Sequence, residues 1–224
     1  MITKTRKSAN QDLKEYQLTN NLEVSPGVHL ISFKRDFDFI PGQVVKIAAD
    51  KIHPPRIYSI CSGNKSTEVS ILFNIKEDGF LTPKLAAMLP GDKILVSAPY
   101  GSFTPTMEKA WFIATGTGIA PFYSVISSGL TKGKILIHGV RLLTQFYFED
   151  ELEETLGENY TRCCSAEKSC NAFPGRVTDY LNQLESLPDI KYYICGQALM
   201  VVEVRDLLIK KGIAFENIMS EIYF

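Results

Sequence analysis

Arg56-Ile57-Tyr58-Ser59 sets a cation, a flat aromatic ring and a short hydroxyl within four consecutive residues. The run follows Phe39-Ile40-Pro41-Gly42-Gln43-Val44-Val45, an apolar stretch with its own Pro-Gly turn signal, and a stiffening Pro54-Pro55 pair. On a strand, successive side chains take opposite faces, so Arg56 and Tyr58 project to one side and Ser59 to the other. The cation suits a diphosphate, the ring suits a planar ring system, and the hydroxyl suits a ring nitrogen that needs a hydrogen bond. A flavin dinucleotide carries all three. The same tetrapeptide on a barrel surface would do no chemistry, so the remaining segments have to decide between these readings.

A second set of residues points to a nucleotide. Thr115-Gly116-Thr117-Gly118-Ile119-Ala120-Pro121 stands between a buried-strand run, Ala110-Trp111-Phe112-Ile113-Ala114, and a helical stretch. That is where an open α/β sheet receives phosphates, because backbone N–H groups and the positive end of a helix face the ligand there. A tight turn without a ligand is the alternative. The third glycine of the dinucleotide fingerprint is missing, and so is the acid expected at the end of the next strand, which runs into Gly139-Val140-Arg141. An acid there accepts from a ribose 2′-hydroxyl, whereas an arginine can hold a 2′-phosphate. A charge-assisted bond contributes about 1.5–3 kcal/mol, and about 1.4 kcal/mol is tenfold in affinity, so Arg141 could set nucleotide preference. A solvated arginine at a strand end is the other reading.

These residues need elements to position them. The first half reads as short strands: Tyr16-Gln17-Leu18-Thr19, 28–33, 43–47, 69–75 and 93–98, punctuated by Gly and Pro, which suggests a small barrel or sandwich. One helix interrupts at 82–89, with Thr82 as N-cap and Pro83 at the first helical position, and Pro90-Gly91-Asp92 ends it. The second half alternates: strands at 110–114, 134–140 and 192–195, helices at 119–128, 149–155, 177–181 and 200–211. Such alternation implies a parallel sheet with helices on both faces. The boundary falls in 103–108, which divides the chain into domains 1–105 and 106–224.

With 224 residues there is room for two such domains. Apolar content of 45%, charged content of 22% and a net charge of −1 are ordinary, and give no global field for a nucleic acid or an anionic membrane. The start of the chain has charge without an apolar core, so no signal peptide is expected, and no apolar run is long enough to span a bilayer. A cytoplasmic protein is the expectation. The five cysteines, Cys61, Cys163, Cys164, Cys170 and Cys195, match neither a disulfide framework nor zinc or iron–sulfur spacing, so no metal is expected.

Taken in order, these segments resemble the ferredoxin–NADP⁺ reductase family over almost the whole chain. The resemblance implies an N-terminal antiparallel β-barrel that binds FAD, followed by a Rossmann-like parallel α/β domain for NAD(P). It implies that Arg56 meets the flavin diphosphate, Tyr58 stacks on the isoalloxazine, and Ser59 approaches flavin N5, with Ile60 completing that segment. Gly79-Phe80-Leu81-Thr82 resembles the second flavin segment, so Gly79, Leu81 and Thr82 would hold the diphosphate at a helix start. Thr115, Gly116, Thr117 and Gly118 resemble the pyridine-nucleotide loop, and Cys195-Gly196 resembles the pair beside the nicotinamide. Glu221-Ile222-Tyr223-Phe224 is similar to the Glu-x-Tyr ending of the family with one further aromatic. By that similarity Tyr223 covers the flavin face that nicotinamide must reach, Phe224 lies against the adenine of FAD, and Glu221 sits near the reacting rings. Ser165-Ala166-Glu167-Lys168 and Gly175-Arg176 resemble the 2′-phosphate reader, with Ala166 standing where family members carry an arginine, so Lys168 and Arg176 are left to act with Arg141.

The function this implies is an FAD-dependent NAD(P)H oxidoreductase. It would pass electrons between NADP(H), with NAD(H) as the other candidate, and a separate ferredoxin- or flavodoxin-type carrier. Ser59, Cys195, Glu221 and Tyr223 would be its catalytic residues, and a monomer is expected. An NADH-dependent reductase component of an oxygenase or cytochrome system keeps the same fold, as does a flavin relay subunit without nicotinamide chemistry of its own. Electron-transfer subunits of dihydroorotate dehydrogenase resemble the scaffold too, but their cysteine cluster is missing. Lys4, Arg6, Lys7, Lys132, Lys134, Lys210 and Lys211 are either a docking face for an acidic carrier or ordinary solvated cations.

Overall fold

The β-rich runs of the first half pair with one another in an antiparallel sheet, in a computed structural model that describes residues 12–223. Its strands are β1 (Leu13–Ser25), β2 (Val28–Lys34), β3 (Val44–Ala48), β4 (Arg56–Ser59), β5 (Glu68–Asn74) and β6 (Lys93–Ser97). They lie in the order β4-β3-β6-β1-β2-β5. The Cys61 N–H donates to the Ser70 carbonyl at 2.8 Å, which carries the chain beyond β4 alongside β5 and curls the sheet into a barrel. Leu18, Phe33, Ile47, Ile71 and Ile94 fill its interior.

β1 is longer than its four-residue sequence signal because it serves two partners. Its first part pairs with β6 and its second with β2, and register shifts between Leu18 and Asn20 and between Glu23 and Ser25 bend it from one to the other. Asn21, a poor strand former, earns its place through its side chain. Its Nδ2 donates to the Leu85, Ala86 and Met88 carbonyls at 3.0, 3.2 and 2.7 Å, closing the C-terminal end of α1 (Leu81–Ala86).

The start of α1 corrects the sequence reading. Thr82 is not the N-cap and Pro83 is not the first helical residue, because the helix already begins at Leu81. The Thr82 hydroxyl is taken by the Lys76 N–H at 2.8 Å, and the Gly79 N–H returns to the Lys76 carbonyl at 2.7 Å. The turn before the helix, rather than the helix end, uses that side chain.

The second half forms a parallel sheet of β7 (Ala110–Thr115), β8 (Lys134–Val140), β9 (Tyr160–Cys164), β10 (Phe173–Pro174), β11 (Lys191–Gln197) and β12 (Ile218–Tyr223) in the order β10-β9-β8-β7-β11-β12. Helices α2 (Ala120–Ser127), α3 (Glu149–Leu156), α4 (Val177–Gln183) and α5 (Ala198–Lys210) connect the strands. Chain order reverses between β7 and β11, which is the switch point where open α/β sheets receive ligands. Strands β9 and β12 carry no clear sequence signal. In β9 the adjacent Cys163 and Cys164 face opposite sides, one packed with Val177 and Leu181 and the other with Val140 and Phe146, so strand alternation accounts for the pair.

The two sheets share one apolar cluster. Val28, Cys61 and Leu72 of the barrel pack with Phe112, Phe122 and Val125 of the parallel half. Residues 98–109 join the sheets and are tied down at both ends. The Pro41-Gly42 turn closes with Gln43 N–H on the Ile40 carbonyl at 3.0 Å, and Gly42, at φ +93°, leaves its Cβ position only 2.1 Å from the Phe103 carbonyl oxygen. Lys134 is buried, and its ammonium donates to the carbonyls of Glu108 and, at 2.9 Å, of Thr106. It is therefore not a docking cation. Lys211 also turns inward, donating to the Leu184 carbonyl at 2.6 Å. Lys4, Arg6, Lys7 and Phe224 lie outside the described residues.

Candidate active site at the junction of the two sheets

Strand β4 ends at Ser59, which is buried and paired in register with Val44 of β3. Strand β12 runs beside β11 with Cys195 opposite Glu221 and Gln197 opposite Tyr223. The seam between barrel and parallel sheet brings these strand ends together. Tyr223 donates its hydroxyl to Ser59 Oγ at 2.6 Å, and Ser59 donates in turn to Glu221 Oε2 at 3.0 Å. The Cys195 thiol is in hydrogen-bond contact with the same Tyr223 hydroxyl. All four residues expected to act together therefore meet in space, from segments up to 164 positions apart.

Burial sets the protonation of this cluster. Loss of water pushes the Glu221 carboxyl up from the usual range, and the Ser59 hydrogen bond opposes the shift. Burial, then the nearby Glu221 charge, raises the Cys195 thiol well above its ordinary value. Cys195 thus stays a neutral thiol and is no nucleophile. Tyr223 is held protonated chiefly by burial, with the neighbouring Cys195 and Glu221 side chains adding to the effect.

On the barrel side, Arg56 is exposed and carries no ion pair among the described residues. Tyr58 is half-buried against the edge of Phe73, at 6.1 Å between ring centroids, and burial raises its hydroxyl to about 12 against a smaller opposing effect of Arg56. Ile60 is fully buried in the barrel core. Leu81 is buried beside it, and Gly79 has its Cβ position 2.9 Å from the Lys76 carbonyl oxygen, so the turn into α1 has no room for a side chain. An open cation beside a half-exposed ring, next to a tight glycine turn and a helix start, fits a dinucleotide whose ring system lies over Tyr58.

On the parallel side, the nucleotide loop is a short 3₁₀ turn, Gly116–Ile119, leading straight into α2. Gly116 has φ +53° and open space where a Cβ would stand. Gly118 sits so close under the Cys195 carbonyl, at 2.3 Å from its Cβ position, that only glycine fits. Gly196, at φ +146°, is in the same position against Thr115 Oγ1. That Thr115 hydroxyl is buried without a hydrogen-bond partner among the described residues. A loop that presents open space at Gly116 and an unsatisfied hydroxyl at Thr115 fits a bound nucleotide, since buried polar groups are normally paired.

Arg141, Lys168 and Arg176 are all exposed at the carboxyl end of the same sheet. Val140 pairs with Cys164, and Cys164 with Pro174, so the three segments leave adjacent strands. The Ala166 N–H donates to the Arg141 carbonyl at 3.0 Å, and the Gly175 N–H to the Cys164 carbonyl at 2.9 Å. Their backbones are pinned while their charged ends remain outside. Glu167 belongs to the same edge, where it accepts from the Leu143 N–H at 2.6 Å.

Two residues escaped the sequence reading. His138 lies fully buried in β8 with Nε2 at 3.3 Å from the Gly116 carbonyl and Nδ1 at 3.3 Å from the Tyr160 hydroxyl. Tyr100 stands beside the Ser59–Glu221 pair with a buried hydroxyl. Each belongs to a segment that reads as a plain strand or turn, and neither carries a local signal.

A barrel with an exposed arginine beside a tyrosine and serine, docked at the switch point of a parallel sheet, is the arrangement of ferredoxin–NADP reductase-like proteins, and the chain is similar to them in sequence and in fold. Residues 112–206 match the oxidoreductase NAD-binding domain family. The chain is 29% identical over 215 residues to a ferredoxin–NADP reductase of Pseudomonas aeruginosa, covering 82% of this chain and 83% of that one. It is 26% identical over 199 residues to a probable dihydroorotate dehydrogenase B (NAD⁺) electron transfer subunit of Pyrococcus abyssi, covering 88% and 74%. The fold matches a crystal structure of a ferredoxin NADP⁺ reductase from Neisseria gonorrhoeae with bound FAD and NADP, with TM-score 0.86, 22% identity, and 95% and 99% of the two chains covered.

Proposed function

We propose that the protein is an FAD-dependent NAD(P)H oxidoreductase that exchanges electrons between NADP(H) and a separate one-electron carrier of the ferredoxin or flavodoxin type. The observation that carries this reading is the meeting of Ser59, Glu221, Tyr223 and Cys195 where the barrel joins the nucleotide sheet. Bound FAD would supply the chemistry, accepting a hydride at N5 from the nicotinamide and releasing electrons one at a time. The chain's own residues bind and orient. Arg56 and the turn at Gly79, Leu81 and Thr82 hold the diphosphate, and Tyr58 supports the ring system. Ser59, held between Tyr223 and Glu221, stands at the edge where the hydride would arrive. Cys195 and Gly196 form the nicotinamide floor, and Tyr223 covers that floor until the nucleotide displaces it. Thr115, Gly116, Thr117 and Gly118 take the nucleotide phosphates. Arg141, Lys168 and Arg176 read the 2′-phosphate. The work divides between 1–105 for the flavin and 106–224 for the nucleotide, in a cytoplasmic monomer. Among the described residues, no helix is long and apolar enough to cross a membrane.

A second reading has NADH as the donor, with the protein serving an oxygenase, a cytochrome or a partner subunit. Ala166 favours it, because it stands where NADP-preferring relatives of this kind commonly carry an arginine. Anaerobic titration of the FAD-loaded protein with NADPH and NADH tests all readings at once. Bleaching at lower NADPH than NADH is the expected result. Preference for NADH would establish the second reading, and no bleaching with either would leave a relay subunit.

A further inference from the structure

Tyr100 lies in the connection between the two sheets, where its N–H and C=O both pair with Val44, each at 2.9 Å. Val44 is the same residue that pairs with Ser59 on its other side. Ser59, Val44 and Tyr100 are therefore lateral neighbours, with side chains on one face of the barrel sheet. Lys46, two residues along the strand on that face, places its ammonium 5.5 Å from the Tyr100 ring centroid. This closes the ring from outside and leaves the hydroxyl pointing inward. The hydroxyl is buried and has no hydrogen-bond partner among the described residues. Burial raises it above its ordinary value, and the Glu221 charge adds to the shift, which puts it within electrostatic reach of the site.

A buried hydroxyl left unpaired calls for a partner from outside the chain. The polar chain beside it has a direction. Tyr223 donates to Ser59 and Ser59 donates to Glu221, so this chain ends on an acceptor and offers no donor outward. Tyr100 supplies the missing donor next to that carboxylate. A donor set beside an acceptor is the complement of a primary carboxamide, and one reactant of the proposed function, the nicotinamide ring, carries such a group. We propose that Tyr100 is a specificity-determining residue whose hydroxyl donates to the carboxamide oxygen of the nicotinamide. This rests on the oxidoreductase reading, and goes beyond it by assigning a ligand atom to a residue in the linker between the sheets.

The test compares Tyr100→Phe with the parent in FAD-loaded protein, using calorimetric dissociation constants for NADP⁺, its 3-acetylpyridine analogue and 2′-phospho-ADP-ribose. The acetyl analogue keeps the carbonyl and lacks the amide N–H, and the ribose probe lacks the ring altogether. Each is measured in the native background and with Tyr223→Ser, which uncovers the nicotinamide site. We expect Tyr100→Phe to weaken NADP⁺ and the acetyl analogue alike, by about tenfold in the uncovered background. The ribose probe should bind unchanged, and the flavin spectrum and melting temperature should match the parent. Equal weakening of all three probes, no weakening in either background, or a changed flavin spectrum with unchanged nucleotide affinity would each overturn the assignment. If the parent binds no dinucleotide at all, the oxidoreductase reading itself fails, and that outcome is distinct from a parent that binds and a variant that binds equally.

Discussion

Glu221 gives the residue scale its sharpest test, because burial and function pull its carboxyl in different directions. Its folded pKa stands above the unfolded value. A group of this kind contributes stability fully below the unfolded pKa and loses it as pH rises through the folded one. Glu221→Gln fixes the neutral form at every pH. The gap in melting temperature between Glu221→Gln and the parent, without FAD, should therefore open in favour of the variant between pH 4 and pH 8. For a chain of this size each kcal/mol is about 2–4 °C. Hydride transfer should fall by roughly tenfold or more at the same time. A constant gap across that range would show that the carboxyl is not desolvated. Arg176 tests the other end of the nucleotide. Arg176→Ala should weaken NADPH by about tenfold and leave NADH nearly untouched, and equal loss for both would end its role at the 2′-phosphate. The tetrapeptide Arg56-Ile57-Tyr58-Ser59, the loop at Thr115 and the ending at Glu221 were each visible in the sequence as separate segments. Their convergence was not visible from spacing alone, since Ser59 and Tyr223 meet only through the docking of two sheets. Tyr100 was invisible for a different reason: Ala98-Pro99-Tyr100-Gly101 is turn chemistry, and only the pairing with Val44 turns it toward the site.

At the scale of the element, β8 shows how a strand can hold a loop it does not belong to. The 134–140 run was legible from its apolar residues, and the structure keeps both ends. The polar residue inside it had no sequence rationale. His138 is neutral, because burial lowers its pKa to about 4 against the opposing Gly116 hydrogen bond. With the Tyr160 hydroxyl as donor to Nδ1, the ring carries its proton on Nε2 and gives it to the Gly116 carbonyl. This fixes the peptide that gives Gly116 its left-handed conformation. The unfolded chain takes up the proton near pH 6.5, so the stability due to neutral His138 is complete above that pH. It is lost as pH falls toward about 4, over a span worth up to about 3 kcal/mol. Denaturant melts of the parent and His138→Gln from pH 7 to pH 4 should show a flatter profile for the variant, together with weaker dinucleotide binding and full retention of FAD. Parallel profiles would mean that the ring does not titrate with folding. Elements that the sequence misjudged share a cause. The start of α1 moved because a turn claimed the Thr82 hydroxyl, and β1 outran its signal because it pairs with both β6 and β2, with Asn21 tolerated in it through its bonds to helix carbonyls. In both, a side-chain to backbone bond, across six residues at Thr82 and across 64 at Asn21, overrode local preference.

At the scale of the whole molecule, a seam of three residues joins the segment proposed to hold the flavin to the helix that follows the proposed nucleotide loop. Ser62, Gly63 and Asn64 follow the flavin segment and lie directly on α2, the helix that continues the nucleotide loop. The Ser124 hydroxyl donates to the Ser62 carbonyl at 2.7 Å, and the Asn64 N–H donates to Ser128 Oγ at 2.9 Å. Between them Gly63 has its Cβ position 2.7 Å from the Ser127 carbonyl oxygen, a backbone atom that cannot rotate away. A methyl there must push α2 from the barrel. The shared cluster that joins Cys61 and Leu72 to Phe122 and Val125 should absorb part of the strain, so Gly63→Ala should still unfold in one transition, with a penalty of about 1–3 kcal/mol. The flavin pocket and the nucleotide loop each stay whole, so FAD content and NADP⁺ affinity should change little. Hydride transfer is different, because it needs both rings in register, and a displacement of about 1 Å can cost about a hundredfold. Stopped-flow reduction of Gly63→Ala should therefore slow far more than its binding constants or its stability would suggest. Two separate melting transitions would refute the shared core, and a hydride-transfer rate equal to that of the parent despite lowered stability would reduce the seam to a packing contact with no part in setting the reacting distance.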